Sequence, residues 1–239
     1  QHLCILMQIL FSQENYPSSE YILLLIHSNQ TQKGLIPTSL VKSIMPSLDK
    51  YNRFFNDTKI PVENMLSERG KGFKIALNSL NVGRIKLAAA CLDASRRTLT
   101  ESVRYANERI QFKQPISNFG AIKYKLAEQT IKTYALESAV FRVSNLMQEM
   151  RDTLKEQGKS YSDGLLESAE EYAIECALLK VAGSEVLDYV VDEGVQIHGG
   201  YGFVKEFHVE RLMRDAKITQ IYEGTSEIQK IVISRSLLK

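Results

Sequence analysis

The chain has 239 residues, of which 44% are hydrophobic and 24% charged. That composition is typical of a globular protein of one large domain or one and a half, and it excludes a disordered chain. Thirty lysines and arginines against 28 aspartates and glutamates leave a formal net charge of +2. Both signs are interleaved without the one-sided basic stripe that attracts nucleic acid, so we expect no nucleic-acid partner.

Cysteine content argues against a protein stabilised by disulfides or a metal site, and hydropathy argues against a membrane-spanning helix. Cys4, Cys91 and Cys176 are too few and too widely spaced for a disulfide framework or a metal site, so we expect buried thiols. The longest apolar run, Tyr21–Ile26, is far shorter than the roughly 20 residues of a membrane helix. Because the chain starts at Gln1, we expect a processed product, an excised piece or a fragment.

The N-terminal part of the chain carries little helical periodicity. Residues 1–50 contain no motif that we recognise, and they stay unassigned. Residues 51–62 predict a strand, a turn and a strand, because aromatic and β-branched residues surround Asn56-Asp57. Pro61 should end the second strand.

Helical periodicity dominates the rest of the chain. Apolar residues recur three and four positions apart over residues 73–107, which predicts roughly 50 Å of helix interrupted only by a kink at Gly83. Further helices are predicted over residues 119–156, over residues 164–193, and from Thr225 through the C-terminal apolar residues. Long helices joined by short loops pack nearly antiparallel to bury their apolar faces. The predicted fold is mainly α, an up-and-down four-helix bundle over residues 67–239.

A glycine-rich segment, GVQIHGGYG, occupies residues 194–202. It follows a helix rather than a strand, so it does not match the dinucleotide-binding glycine turn. One interpretation is a helix C-cap and a turn in which Gly199, Gly200 and Gly202 supply positive φ angles. The other is close approach of bare backbone to a phosphate-bearing ligand.

Glu223 stands directly before Gly224 and before a helix start marked by Thr225 or Ser226. This arrangement projects a carboxyl group from a tight turn, beside unsatisfied backbone N–H groups. A glutamate in a turn is ordinarily solvated, and a catalytic role is the alternative.

Arg109, Gln111 and Phe112 follow the first long helix. They suit a helix end with an anchored aromatic side chain. An arginine at such a place is equally suited to bind a pyrophosphate through two hydrogen bonds, so both interpretations stay open.

Four motifs together resemble the acyl-CoA dehydrogenase family, in the family's order and at its spacings. They are RYANERIQF at 104–112, QIHGGYGF at 196–203, LMRDAK at 212–217 and QIYEGTS at 220–226. The resemblance runs from about Phe54 to Lys239 and covers the family's C-terminal helical domain, preceded by the end of its middle β-domain at 51–66. Residues 118–122 and 188–196 look most like the very-long-chain branch.

The resemblance implies an FAD enzyme that desaturates the α–β bond of an acyl-CoA thioester in fatty-acid β-oxidation. Glu223 would remove the α-proton while a hydride leaves the β-carbon for the flavin. The backbone N–H of Glu223 and a flavin hydroxyl would polarise the thioester carbonyl. Other relatives carry the base on the long helix, at the position of Gly83, so this sequence places its base at Glu223.

The resemblance also implies binding residues. Asn81 and Arg84 match positions that contact the substrate; without the family they would be a polar patch at a helix kink. The positions that hold FAD from the neighbouring subunit of a dimer match Arg109, Gln111, Phe112, Gln196, Gly199 and Gly200. Thr225 and Ser226 match positions near the cofactor of the same subunit.

Typical members of this family are longer, so we expect a C-terminal portion of the full enzyme that on its own binds FAD weakly. The implied partners are an acyl-CoA substrate, an electron-transfer flavoprotein, and further copies of the chain in a homodimer or homotetramer. The implied compartment is the cytoplasm of a bacterium or the mitochondrial matrix of a eukaryote. Two alternatives stay open: a non-catalytic assembly protein on the same fold, and an acyl-CoA oxidase relative.

Overall fold

The computed structural model describes residues 62–64, 70 and 72–238. The unassigned residues 1–50, with Cys4, and most of the predicted strand–turn–strand at 51–62 lie outside the described residues. Val62, directly after Pro61, begins a short 3-10 turn, Val62–Asn64. The description below concerns the compact unit that contains residues 73–239.

Six α-helices and one β-hairpin form the described part of this unit. The helices are α1 (Gly72–Glu108), α2 (Gly120–Glu156), α3 (Tyr161–Glu171), α4 (Ala173–His198), α5 (His208–Thr219) and α6 (Ser226–Leu237). The hairpin pairs β1 (Ile110–Gln111) with β2 (Gln114–Pro115) antiparallel. Short 3-10 turns occupy Ile116–Asn118 and Gly199–Phe203. The prediction of a mainly α, bundle-like fold is confirmed.

Helix α4 is central to the packing, because α2, α5 and α6 all lie against it. Gly183 allows α1 to approach it closely, since a Cβ at Gly183 would lie 3.0 Å from the Cα of Ala88. The apolar cluster at this crossing consists of Leu87, Cys91, Leu187, Val191 and Ala216. Tyr222, in the loop between α5 and α6, packs against the same cluster and so fixes that loop to the core.

Helix α1 is continuous through Gly83, and the kink predicted there stays a prediction. One predicted helix differs from the observed ones. The third predicted helix is two helices, α3 and α4, separated at Tyr172, whose backbone has φ −93° and ψ 26°. The N–H of Tyr172 still bonds to the Ser168 carbonyl, so the interruption is local.

Two elements escaped the sequence analysis. Helix α5 carries Val209, Leu212, Met213 and Ala216 at helical spacing, but the sequence analysis read the LMRDAK stretch only as a family motif and did not predict a helix there. The hairpin turns at Phe112 and Lys113, whose φ angles are +51° and +65°. Two-residue hairpin turns of this kind are usually recognised in a sequence by an Asn-Gly or Asp-Gly pair, and neither pair occurs here.

Candidate active site

Glu223 lies in a short loop, residues 220–225, that joins α5 to α6; we call it the Glu223 loop. The N–H of Ser226 donates to the Gln220 carbonyl at 2.9 Å and closes the loop at its base. Thr225 caps α6 by accepting from the Ile228 N–H at 3.3 Å, as the sequence predicts. Glu223 itself has φ +58°, a left-handed conformation that costs a non-glycine residue about 1–3 kcal/mol. The surrounding contacts must therefore hold it.

The carboxyl group of Glu223 lies against the backbone of α1 at Gly83. A Cβ at Gly83 would lie 2.7 Å from Oε2 of Glu223, and this oxygen is buried. Glycine is the residue that leaves room for the carboxylate here. The missing side chain at Gly83 thus serves the contact with Glu223.

Asn81 and Arg84, one turn apart on α1, are brought to the same loop. The Nε of Arg84 donates to the Glu223 carbonyl at 3.5 Å, and its Nη1 donates to Oδ1 of Asn81 at 2.6 Å. Asn81 is buried and donates from Nδ2 to the Ala169 carbonyl at 3.1 Å. The predicted base and the two predicted substrate-binding residues are therefore neighbours.

Gln229 of α6 holds the Glu223 loop from another side, and the sequence analysis did not single it out. Its buried Nε2 donates to the Glu223 carbonyl at 3.4 Å. A Cβ at Gly224 would lie 2.3 Å from this Nε2, which explains the glycine after Glu223. Gly224 also has φ +86°, so the backbone requires glycine there independently.

Three cationic side chains interact electrostatically with Glu223. Burial lowers the pKa of Arg84 and of Lys86, and the negative charge of Glu223 opposes both changes. Burial also lowers the pKa of Lys180, and Cys91, Glu227 and Glu223 oppose it. The side chains of Arg84, Lys86 and Lys180 therefore all lie close enough to Glu223 to interact with its charge.

A second feature is a groove of about 550 Å³ that we call the Arg109 groove. Four residues predicted to bind FAD line it: Arg109, Gln111, Gly199 and Gly200. The structure thus brings together residues that lie far apart in the sequence, from the ends of α1 and α4. The rest of its lining is mainly aromatic and aliphatic, so the groove combines one cationic side chain with apolar surface.

Bare backbone faces the opening of the Arg109 groove. Gly199 ends α4 with φ +59°, and a Cβ at Gly199 or Gly200 would meet no atom within 4 Å. Gly202 differs, because a Cβ there would lie 2.5 Å from the Val195 carbonyl oxygen. Of the three glycines expected to supply positive φ, only Gly199 does so; the expectation is wrong for Gly200 and Gly202.

Aromatic side chains that the sequence analysis passed over support this groove. The guanidinium of Arg109 lies 5.4 Å from the ring centroid of Tyr201, a cation–π arrangement. The buried His198 ring stacks on Tyr105 at 4.2 Å and bonds through Nδ1 to the Gly194 carbonyl at 2.7 Å. Burial lowers the pKa of His198, which keeps its ring neutral.

The remaining predicted cofactor residues do not line the Arg109 groove. Phe112 is 86% exposed, so the interpretation as an anchored aromatic is wrong within this chain. Gln196 is exposed and is not among the residues that line the groove. Thr225 is a helix cap, and Ser226 is buried beneath the Glu223 loop.

Within the described residues, no cluster of side chains suits a metal ion, and no helix is long and apolar enough to cross a membrane. Cys91 and Cys176 are buried thiols, as predicted. Burial raises the pKa of Cys91 to about 11 and that of Cys176 to about 12, so both stay protonated at neutral pH.

Comparison with known proteins places the chain in a family. Residues 70–238 match the family described as acyl-CoA dehydrogenase, C-terminal domain. The chain belongs to the acyl-CoA dehydrogenase family. The resemblance inferred from the four motifs is therefore confirmed.

Three similar proteins show how much of a family member this chain represents. A "Probable acyl-CoA dehydrogenase" from Bacillus subtilis is 46% identical over 184 residues, 77% of this chain and 31% of that protein. The crystal structure of an acyl-CoA dehydrogenase complexed with FAD from Bacillus anthracis matches with 49% identity and a TM-score of 0.73, over 77% of this chain and 31% of that one. The human mitochondrial very long-chain specific acyl-CoA dehydrogenase, from the branch suggested by the sequence, is 39% identical over 76% of this chain and 25% of its own length. The chain spans about a third or less of these relatives.

Proposed function

We propose that this chain takes part in the FAD-dependent α,β-dehydrogenation of acyl-CoA thioesters, with Glu223 as the base. The observation that carries the proposal is the placement of the Glu223 carboxylate. A strained backbone holds it against Gly83, beside Arg84 and Asn81. Strained residues that their surroundings hold in place are concentrated at active sites.

Glu223 would accept the proton from the α-carbon of the thioester, and the C–H electron pair would become the new α–β double bond. FAD, when bound, supplies the acceptor for the hydride that leaves the β-carbon. Asn81 and Arg84 would position the substrate beside the base. The product is the 2-enoyl-CoA, with two electrons passed on to an electron-transfer flavoprotein.

The Arg109 groove fits a part of FAD that carries phosphate. Bare backbone at Gly199 and Gly200 admits close approach, and Arg109 supplies a positive charge with a planar set of donors. We propose that Arg109, Gln111, Phe112, Gln196, Gly199 and Gly200 hold the FAD of a neighbouring subunit, with Thr225 and Ser226 near the FAD of their own. The proposal requires a homodimer or homotetramer, and light scattering that finds a helical monomer would contradict it.

The test of the base uses a chimera, because the chain covers only 31% of the Bacillus subtilis relative. Residues 70–238 replace the matching domain of that relative, and the chimera is loaded with FAD. Stopped-flow mixing with acyl-CoA then measures flavin reduction. Glu223→Gln should slow reduction by roughly 10² to 10⁴, because the proton acceptor is lost.

The matched control is Glu227→Gln. Glu227 is the second residue of α6 and is exposed. Its substitution should leave the rate of flavin reduction nearly unchanged. Reduction by Glu223→Gln within a few-fold of the unmodified chimera would remove Glu223 from the mechanism. A chimera that binds FAD and acyl-CoA without reducing flavin would favour the assembly protein, and faster reoxidation by oxygen than by electron-transfer flavoprotein would favour the oxidase.

A further inference from the structure

A buried lysine lies beneath the Glu223 loop. Lys180, in α4, has no exposed surface. Its Nζ donates to the Gln220 carbonyl at 3.1 Å and to the Ser226 hydroxyl at 3.3 Å. Gln220 is the first residue of the loop and Ser226 is the first residue of α6, so one ammonium group joins the two ends of the loop.

The surrounding hydrogen bonds make this junction a compact unit. The Gln220 carbonyl also accepts from the Ser226 N–H at 2.9 Å and from the Ser226 hydroxyl at 3.4 Å. Ser184, one turn after Lys180, has its hydroxyl 3.3 Å from that of Ser226. The ammonium of Lys180 meets the C-terminal end of α5, where the helix dipole favours a cation. The contacts of Lys180 and Ser184 reach this junction from α4, whereas the two bonds of Ser226 to Gln220 lie within the junction itself.

An ammonium group in a core is costly unless hydrogen bonds compensate for lost hydration. An apolar side chain of similar length, such as that of methionine, would fill most of the space without that cost. Apolar packing therefore does not require a lysine at position 180. What the lysine adds is a pair of donors aimed at the two ends of one loop, the loop whose middle residue has a strained backbone.

We propose that Lys180 is a positioning residue for Glu223, an inference that rests on the proposed function of Glu223 as the base. By joining Gln220 to Ser226, Lys180 keeps the loop short enough at its base to hold Glu223 in the left-handed conformation. The carboxylate then stays against Gly83, where Arg84 and Gln229 bind the Glu223 carbonyl from two other helices. Lys180 does not contact the substrate in this proposal; it acts through the loop.

The first test is hydrogen–deuterium exchange on the full chain, which requires neither FAD nor turnover. Lys180→Met keeps an unbranched side chain that is one atom shorter and removes both hydrogen bonds. Exchange in the segment 219–226 should accelerate roughly tenfold or more, the effect of losing charged hydrogen bonds, while α2 and the rest of α4 stay unchanged. The matched control is Lys230→Met, because Lys230 also links α6 to α4, through Glu185, but on the surface. It should leave the segment 219–226 unchanged.

The second test asks whether the loop matters for the base. In the chimera loaded with FAD, Lys180→Met should slow flavin reduction roughly tenfold or more while the acyl-CoA dissociation constant changes by less than about twofold. Lys180→Gln keeps one donor without the charge and should recover part of the rate. If Lys180→Met does not fold, the same measurements can be made on Lys180→Gln.

Three results would overturn the proposal. Unchanged exchange at 219–226 would show that Lys180 does not hold the loop. Exchange that accelerates equally throughout α4, α6 and the loop would give Lys180 a general role in stability. Faster loop exchange with an unchanged rate of flavin reduction would show that the order of the loop does not affect the action of Glu223 as the base. The failure of the proposed function is distinguishable, because Glu223→Gln would then leave the rate intact whatever happens to exchange.

Discussion

The Glu223 loop and the Arg109 groove are built in opposite ways. Contacts from three helices hold the loop: Arg84 of α1, Lys180 of α4 and Gln229 of α6. The groove opens outward, and its glycines present bare backbone to empty space. A base must be placed to within a fraction of an ångström, whereas a cofactor groove must admit its ligand. The contrast is what the two proposed roles require.

Glycine has a different meaning in the two regions. At Gly83 and Gly224 the missing Cβ makes room for side chains of the same chain, those of Glu223 and Gln229. At Gly199 and Gly200 nothing in the described structure occupies that room. Substitutions at these positions therefore separate internal packing from ligand access.

The largest effect on stability is expected within the glycine-rich turn. In Gly202→Ala the new Cβ would lie 2.5 Å from the Val195 carbonyl oxygen and 2.9 Å from the Val195 Cα, and backbone cannot move aside cheaply. We expect a loss of about 2–3 kcal/mol in the free energy of unfolding. Gly200→Ala is the control, since its Cβ meets no atom within 4 Å. Equal losses in urea unfolding would show that the turn is as tightly packed at Gly200 as at Gly202.

Beside the Glu223 loop, in α1, Gly83→Ala should lower activity without lowering stability. The new Cβ would lie 2.7 Å from Oε2 of Glu223, the end of a flexible side chain, so the carboxylate should move rather than the helix. Flavin reduction in the chimera should fall roughly tenfold, whereas the melting temperature should hold or rise, since alanine is the better helix former. In a Glu223→Gln background the same substitution should add no further loss of rate. A lower melting temperature with an unchanged rate would contradict the packing described at Gly83.

In the Arg109 groove, Arg109→Lys should weaken binding without affecting the fold. Lysine keeps the charge but loses the planar donor set and the contact with the Tyr201 ring. We expect the FAD dissociation constant of the chimera to rise roughly tenfold, with unfolding unchanged. Arg104→Lys is the matched control, because Arg104 is exposed and pairs with Glu101. If both variants bind FAD equally well, Arg109 is not a cofactor residue.

The smallest effect is expected from the cap at Thr225. Thr225→Ala removes the hydroxyl that accepts from the Ile228 N–H, which should cost about 1 kcal/mol of stability. Ser160→Ala removes the equivalent cap of α3, which accepts from the Asp163 N–H, and should cost a similar amount. Flavin reduction should respond only to Thr225→Ala, because only that cap adjoins the Glu223 loop. A response to both would mean that the rate follows overall stability.

Local sequence patterns determined much of this protein. The apolar periodicity of α1 and α2, the cap at Thr225 and the tight turn at Glu223 were all predictable, because each depends on residues within a few positions of one another. The family followed from four motifs whose order and spacing are themselves properties of the sequence. The sequence analysis missed α5, although its apolar residues stand at helical spacing, and it missed the hairpin, which lacks the usual turn residues.

Only the tertiary structure showed what these residues contact. The sequence offered Gly83 as a kink and gave no reason to notice Lys180 or Gln229. Folding places Gly83 against the Glu223 carboxylate, and it places the Lys180 ammonium beneath the ends of the loop. Such contacts join residues that are distant in the sequence, so they depend on how α1, α4 and α6 pack. Hydrophobic periodicity determines that helices pack together, but the polar atoms buried between them find their partners only in the assembled structure.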